Sequence, residues 1–170
     1  MRPEFFNNRD YINRGIGGQT TPQMLLRFRE DVINLNPSVV IILAGTNDIA
    51  GNSGYISLES IIDNIKSMSE IANANGIKVI ISSILPAIDY PWKPGLDPAP
   101  KIIIINKALK AFSEENNFIY LDYYAAMVDD KGGLKVPEYT SANDLVHPNK
   151  NGYLVMEKLA EIAIKKALAK

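Results

Sequence analysis

The chain of 170 residues contains no cysteine, one histidine and one tryptophan. Without cysteine it has no disulfide, thiolate metal site or cysteine nucleophile, so any catalytic chemistry must come from oxygen and nitrogen groups. Neither sign of charge is in excess, because 18 Lys and Arg stand against 19 Asp and Glu and give a net charge of −1. A basic stripe is lacking as well, and this argues against a nucleic-acid partner.

Long hydrophobic runs are also lacking. The longest, such as residues 39–44 and 102–105, fall far below the roughly 20 residues that cross a bilayer, so we expect no membrane span. Residues 1–14 lack the apolar stretch of a signal peptide, which predicts a soluble chain and assigns no compartment. Hydrophobic residues make up 46% of the chain, which is typical of a globular protein, and the length predicts a single domain over residues 1–170.

Helical periodicity alternates with short β-branched runs, which predicts an α/β protein with a mainly parallel sheet. The predicted strands cover residues 39–44, 78–85 and 118–122, and the predicted helices cover 22–35, 101–116, 151–169 and a segment between Ser57 and Asn75. Residues 86–100 contain five prolines and form the one long connection, which is typical of a functional loop. Because residues 1–14 offer at most a short strand at 11–13, the first strand of the sheet is expected to be missing.

The single histidine, His147, lies in the segment Asp144-Leu145-Val146-His147-Pro148. Pro148 keeps the preceding residue out of the helical region, so the carboxylate of Asp144 can reach the imidazole within one turn. Such a pair can serve as the base and the orienting acid of a nucleophilic relay. The alternative is an Asx-type turn with a solvated histidine at the start of the last helix.

Two further segments carry polar groups at positions typical of a site. Gly45-Thr46-Asn47-Asp48 follows the first predicted strand, and ligands of parallel sheets bind beyond the carboxyl ends of the strands. Asn47 can donate a side-chain N–H to an oxyanion, unless this segment only satisfies a turn. The glycine-rich loop from Asn13 to Thr21 leads into a helix and can expose backbone N–H groups to an anion. It lacks the lysine of a phosphate loop and the spacing of a dinucleotide fingerprint.

Together and in this order, the three segments resemble the SGNH or GDSL-type hydrolases, which are lipase-like esterases and acylhydrolases. The resemblance runs from Asn13 to the C-terminus and implies a flavodoxin-like, three-layer α/β/α sandwich. It implies that Gly18 is a backbone oxyanion donor, Asn47 a side-chain donor, His147 the base and Asp144 its orienting acid. It implies a small-molecule ester as substrate, favours a small acyl group such as acetyl, and implies no metal or organic cofactor.

One block of the family pattern is absent, because the chain contains no Gly-Asp-Ser. We therefore expect an N-terminally truncated chain that lacks the nucleophilic serine and is inactive as written. Three other serines are weaker candidates: Ser53 lies in a Gly51–Tyr55 segment without a strand-to-helix elbow, and Ser82 and Ser83 lie within a predicted strand. A missing strand leaves sheet edges unpaired, which makes a homo-oligomer possible.

Two other classes of function stay open at this point. One is a non-catalytic module that binds a ligand in the same pocket, and the other is a flavodoxin-like binder of a phosphoryl group or cofactor at the glycine-rich loop. The aromatic residues of the proline-rich connection also allow two interpretations. Tyr90 and Trp92 either wall a substrate pocket or anchor the loop.

Overall fold

The computed structural model describes residues 3–7 and 10–169. Its sheet contains β1 (Val39–Ile42), β2 (Lys78–Ser82) and β3 (Ile119–Leu121), which are parallel and lie in the order β1-β2-β3. The helices are α1 (Thr21–Asp31), α2 (Thr46–Ile49), α3 (Leu58–Ala74), α4 (Pro98–Glu115), α5 (Tyr123–Met127) and α6 (Lys150–Leu168), with short 3-10 helices at Pro3–Phe5 and Ile33–Leu35.

Helices cover both faces of the sheet. On β2, Val79 and Ile81 belong to the core shared with α1, α3 and α4, whereas Ile80 belongs to the core shared with α5 and α6. Successive residues of a strand point to opposite faces, so a strand covered on both sides is apolar throughout. The predicted three-layer α/β/α sandwich with a parallel sheet is confirmed.

Several boundaries differ from the sequence-based prediction. The first predicted helix is split, because α1 ends at Asp31 and a 3-10 turn follows, closed by Asn36 at a φ of 47°. Helix α4 begins at Pro98 rather than at residue 101, since the first turn of a helix tolerates proline. Strands β1 and β2 end earlier than predicted, and residues 11–13 form no strand. The short helices α2 and α5 were not predicted.

Strand β1 has only one neighbour in the described part of the chain. It pairs with β2, and its other edge carries no strand. An open edge of this kind presents unpaired N–H and C=O groups to which a further strand can add. Among the helices of residues 3–7 and 10–169, none is both long and apolar enough to cross a lipid bilayer.

Candidate active site

Asp144 and His147 form a hydrogen-bonded pair in the turn that precedes α6. Oδ1 of Asp144 lies 2.8 Å from Nδ1 of His147 and also accepts the backbone N–H of His147 at 2.8 Å. The His147 side chain is 67% exposed, and no hydrogen bond to its Nε2 is present among the described residues. Because Nδ1 is held by a carboxylate, Nε2 is the ring atom that can take a proton from a bound group.

Buried contacts fix the backbone around this pair. Val146 is buried directly before the exposed His147, and Leu145 closes the turn with a φ of 64°. The buried hydroxyl of Thr140 donates to the carbonyl of His147 at 2.9 Å. The side chain of Asn149 caps α6 directly after the turn. The imidazole therefore projects from a backbone that is held on both sides.

The environment of Asp144 keeps its carboxyl ionised. Burial acts to raise the pKa, but hydrogen bonds from the N–H and the ring of His147 and from the N–H of Val146 outweigh it and lower the pKa below its ordinary value. All three bonds end on Oδ1. A carboxylate at this position favours the Nδ1–H tautomer and stabilises an imidazolium when the ring takes a proton.

Asn47 lies beside the glycine-rich loop. Its Nδ2 donates to the carbonyl of Gln19 at 2.8 Å. Nδ2 of Asn52 donates to Oδ1 of Asn47 and to the carbonyl of Gly18, each at 3.2 Å. Asn52 therefore holds Gly18 and Asn47 next to one another and determines which end of the Asn47 amide donates. Sequence analysis missed Asn52 because its contact spans 34 residues and no local motif marks it.

Hydrogen bonds from α1 hold the glycine-rich loop in place. Arg27 of α1 donates to the carbonyl of Arg14 at 2.9 Å and to the side chain of Gln19 at 2.6 Å. Gly18 has a φ of +78°, and a Cβ there would meet only Asn52 within 4 Å, so the backbone conformation rather than crowding requires glycine. The N–H of Gly18 makes no hydrogen bond within the described ranges and can donate to a ligand.

Asp48 does not share the environment of its neighbour Asn47. It is 2% exposed and accepts from the N–H of Thr21 at 2.9 Å and from the Thr21 hydroxyl at 2.6 Å. Asn64 of α3 donates to the same hydroxyl at 3.1 Å. Asp48 therefore joins α2, α3 and the start of α1, and it fixes the end of the glycine-rich loop. Its carboxylate also occupies the helix terminus at which a phosphoryl group would bind.

Replacing Asp48 by alanine is expected to lower the free energy of unfolding by about 2–3 kcal/mol at pH 7, because the buried N–H and hydroxyl of Thr21 lose their acceptor. Chemical denaturation measures the loss, and Asp63→Ala on the exposed face of α3 serves as the control. A loss no larger than that of the control would contradict the structural role.

The pH dependence of stability offers a separate check on Asp48. Burial raises its pKa, and the hydrogen bonds from Thr21 oppose the rise only in part. A raised pKa in the folded state gives a stability contribution that is present below the unfolded value and lost as the pH rises through the folded value. The unmodified chain should therefore lose stability as the pH rises from the unfolded to the folded pKa of Asp48. Asparagine does not titrate, so we expect the Asp48→Asn chain to gain stability relative to the unmodified chain over this pH range, as measured by chemical denaturation.

The proline-rich connection brings an aromatic side chain to His147. Tyr90 is completely buried, and its ring stacks on Trp92 with a centroid distance of 5.2 Å. Trp92 is 49% exposed, and its ring centroid lies 5.8 Å from that of His147. Tyr90 therefore anchors the loop, and Trp92 lines the surface beside His147; that Trp92 walls a substrate pocket stays a prediction.

The three serines considered from the sequence have other partners. Ser82 donates to a backbone carbonyl of β1 and Ser83 accepts a backbone N–H of α5, and both are at most 1% exposed. The hydroxyl of Ser53 lies 3.2 Å from that of Thr20. In the part of the chain that the structure describes, none of these serines hydrogen-bonds to His147.

An exposed histidine with a carboxylate on Nδ1, carried by a parallel α/β fold, is typical of hydrolases that combine a nucleophile, a base and an orienting acid. The chain belongs to the GDSL-like Lipase/Acylhydrolase family, whose profile matches residues 3–155. The proteins of this family are described as lipases and acylhydrolases.

Relatives of known structure share the fold over nearly the whole chain. A GDSL-like lipase from Bacteroides thetaiotaomicron VPI-5482 is 48% identical, with a TM-score of 0.92 over 97% of this chain and 80% of that chain. Axe2, an acetylxylan esterase from Geobacillus stearothermophilus, is 22% identical, with a TM-score of 0.74 over 90% of this chain and 71% of that chain, which is a likeness of fold.

A curated relative is the uncharacterized lipoprotein YqeF of Bacillus subtilis (strain 168). It is 31% identical over 141 residues, which are 81% of this chain and 49% of YqeF. The chain therefore spans about half the length of this curated relative.

Proposed function

We propose that this protein hydrolyses carboxylic esters of small acyl groups, such as acetyl, by a Ser-His-Asp mechanism. The observation that carries the proposal is the 2.8 Å contact between Oδ1 of Asp144 and Nδ1 of His147, on an imidazole that is largely exposed. This contact orients Nε2 as a base. The donors at Gly18 and Asn47, which Asn52 holds next to one another, support the same chemistry, because an ester carbonyl becomes an oxyanion during attack.

The proposed reaction has two halves. A serine oxygen attacks the ester carbonyl carbon while Nε2 of His147 takes the serine proton, and the oxyanion accepts the N–H of Gly18, the amide of Asn47 and the N–H of the serine itself. Collapse of this intermediate breaks the ester C–O bond, and His147 returns the proton to the leaving alcohol. Water then attacks the acyl-serine by the same route and releases the acid, while Asp144 stabilises the imidazolium in both halves.

We assign the nucleophile to a Gly-Asp-Ser block that these 170 residues do not contain. Two observations support the assignment. Ser82 and Ser83 are buried and hydrogen-bonded elsewhere, and Ser53 pairs with Thr20. Strand β1 also has an open edge, at which a further parallel strand would end next to Asn47. The same open edge supports self-association of the chain as it stands.

The acetyl group is the finer part of the proposal. Axe2 is an acetylxylan esterase, and its catalytic mutants replace a serine, an aspartate and a histidine, with the aspartate three positions before the histidine. Asp144 and His147 have the same spacing. A short acyl group is therefore the first substrate to test.

A non-catalytic binding module is the second candidate. It is favoured by the fact that no serine within the described residues hydrogen-bonds to His147. The phosphoryl or cofactor binder has less support, because the carboxylate of Asp48 already accepts the N–H of Thr21 at the start of α1. A second negative charge there would be repelled.

The decisive experiment compares the 170-residue chain with a version that carries an additional strand ending in Gly-Asp-Ser before residue 1. We expect the chain alone to show no hydrolysis of p-nitrophenyl acetate above the uncatalysed rate, because His147 has no serine to activate. The extended version is expected to hydrolyse the ester and to be labelled on its new serine by a fluorophosphonate.

His147→Ala in the extended version is the matched control and is expected to remove both activities. Hydrolysis by the unextended chain that depends on His147 would contradict the assignment of the nucleophile. In that case, mass spectrometry of the labelled peptide would identify which of Ser53, Ser82, Ser83 or the other serines reacts.

A further inference from the structure

Trp92 lies beside His147, the residue that protonates the leaving alcohol in the proposed reaction. In the proposed reaction Nε2 of His147 protonates the alcohol oxygen, so that oxygen must come within hydrogen-bond distance of the ring. The carbon skeleton of the alcohol begins one bond beyond this oxygen. A side chain whose ring centroid is 5.8 Å from that of His147 is close enough to contact this skeleton.

The position of Trp92 is set before any ligand binds. Its ring stacks at 17° on the buried ring of Tyr90. Oδ1 of Asp89 accepts the backbone N–H of Tyr90 at 2.9 Å and of Gly95 at 3.1 Å, and these bonds close the turn that carries Trp92. An aromatic wall that is already ordered loses little entropy on binding, so contacts to it contribute fully to affinity.

The residue after Trp92 links this wall to the other half of the site. Nζ of Lys93 donates at 2.9 Å to the carbonyl of Ala50, which directly follows α2. Asn47 belongs to that same short helix. The segment from Trp92 to Lys93 therefore contacts both the proposed base and the residue that follows the helix of the proposed oxyanion donor.

We propose that Trp92 is a specificity-determining residue that selects esters whose alcohol part is a ring with a flat apolar face. The inference rests on the proposed function, because an alcohol is placed next to His147 only by ester hydrolysis. A flat ring can lie against the exposed indole and bury more apolar surface there than a flexible chain with the same number of carbons. The chain also loses more conformational freedom when it binds.

Binding of unreactive amide analogues to the 170-residue chain tests the inference without any need for turnover. Acetanilide carries an aromatic ring, N-cyclohexylacetamide a saturated ring, and N-hexylacetamide six carbons in a linear chain. We expect both ring compounds to bind about five- to tenfold more tightly than the linear one. Trp92 is the sole tryptophan and His147 the sole histidine, so indole fluorescence and the imidazole NMR signals should both change when a ring binds.

Variants at residue 92 distinguish an effect of the aromatic ring from an effect of hydrophobicity in general. Trp92→Leu is expected to reduce the preference for rings to below about twofold, whereas Trp92→Phe should retain most of it, with ligand-observed NMR as the measurement. Tyr55→Leu is the control for non-specific adsorption, because Tyr55 is 95% exposed, and it should change nothing.

Equal binding of ring and linear amides, or an unchanged ring preference in Trp92→Leu, would overturn the inference. A preference for only one of the two rings over the linear chain would support the inference and identify that ring type as the substrate class. Failure of the proposed function has a different signature, since the extended version would then hydrolyse no ester while the ring preference of the binding site persists.

Discussion

Asp144→Asn is expected to lower the kcat for p-nitrophenyl acetate by up to about ten-thousandfold in the version that carries the Gly-Asp-Ser strand. Asparagine has the shape of aspartate, and its Oδ1 can still accept the N–H groups of Val146 and His147 that shape the turn. The substitution removes the negative charge of the carboxylate beside Nδ1 of His147, and this charge stabilises the imidazolium during proton transfer.

Asp129→Asn is a matched control for this prediction. Asp129 also closes a turn through its Oδ1, which accepts the N–H groups of Lys131 and Gly133. Its substitution should leave kcat unchanged if the charge of Asp144 acts on His147 and not on turn stability. A loss below about tenfold in Asp144→Asn, with the turn intact by NMR, would exclude Asp144 as the orienting acid.

Asn47→Ala is expected to lower kcat by about a hundred- to a thousandfold in the same version, with little change in KM. The amide of Asn47 carries two N–H bonds, of which one donates to Gln19 at 2.8 Å. The other can donate to an oxyanion, an interaction that is stronger in the transition state than in the bound ester. Stopped-flow hydrolysis over a range of ester concentrations separates kcat from KM.

The stability of Asn47→Ala must be followed as well, because the carbonyl of Gln19 loses a donor, at a cost of about 1 kcal/mol. Asn75→Ala is the control, since the Asn75 amide makes a similar bond to a backbone carbonyl of α3, and it should lower stability without lowering kcat. The kcat of Asn52→Ala should lie between those of Asn47→Ala and Asn75→Ala, because Asn52 holds Gly18 and Asn47 together but is not itself an oxyanion donor. An unchanged kcat in Asn47→Ala would assign Asn47 to turn structure alone.

The sequence by itself determined the fold class, because it contains both the apolar runs of buried strands and the apolar stripes of amphipathic helices. The apolar run at residues 39–42 and the helical stripe that contains Ile61, Ile65 and Met68 both reflect burial on the sheet, and the structure places them in β1 and α3. The segment from Asp144 to His147 is equally local, since only two residues separate them and Pro148 restricts His147, and the two side chains meet at 2.8 Å. The predicted ends of α1 and α4 differ from those in the structure, because capping and tertiary packing decide where a helix begins and ends.

Only the tertiary structure decided which residues from distant parts of the chain come into contact. Asn52 contacts Gly18 across 34 positions, Asp48 contacts Thr21 across 27, and Trp92 meets His147 from a different loop. No sequence period records such contacts, because they arise when the sheet and its helices bring distant connections to one edge. The sequence places Asn47 and Asp48 side by side as polar residues after a strand, and the family resemblance alone assigns a role to Asn47. Packing separates them, because one side chain stays partly exposed beside the glycine-rich loop while the other is buried against the start of α1.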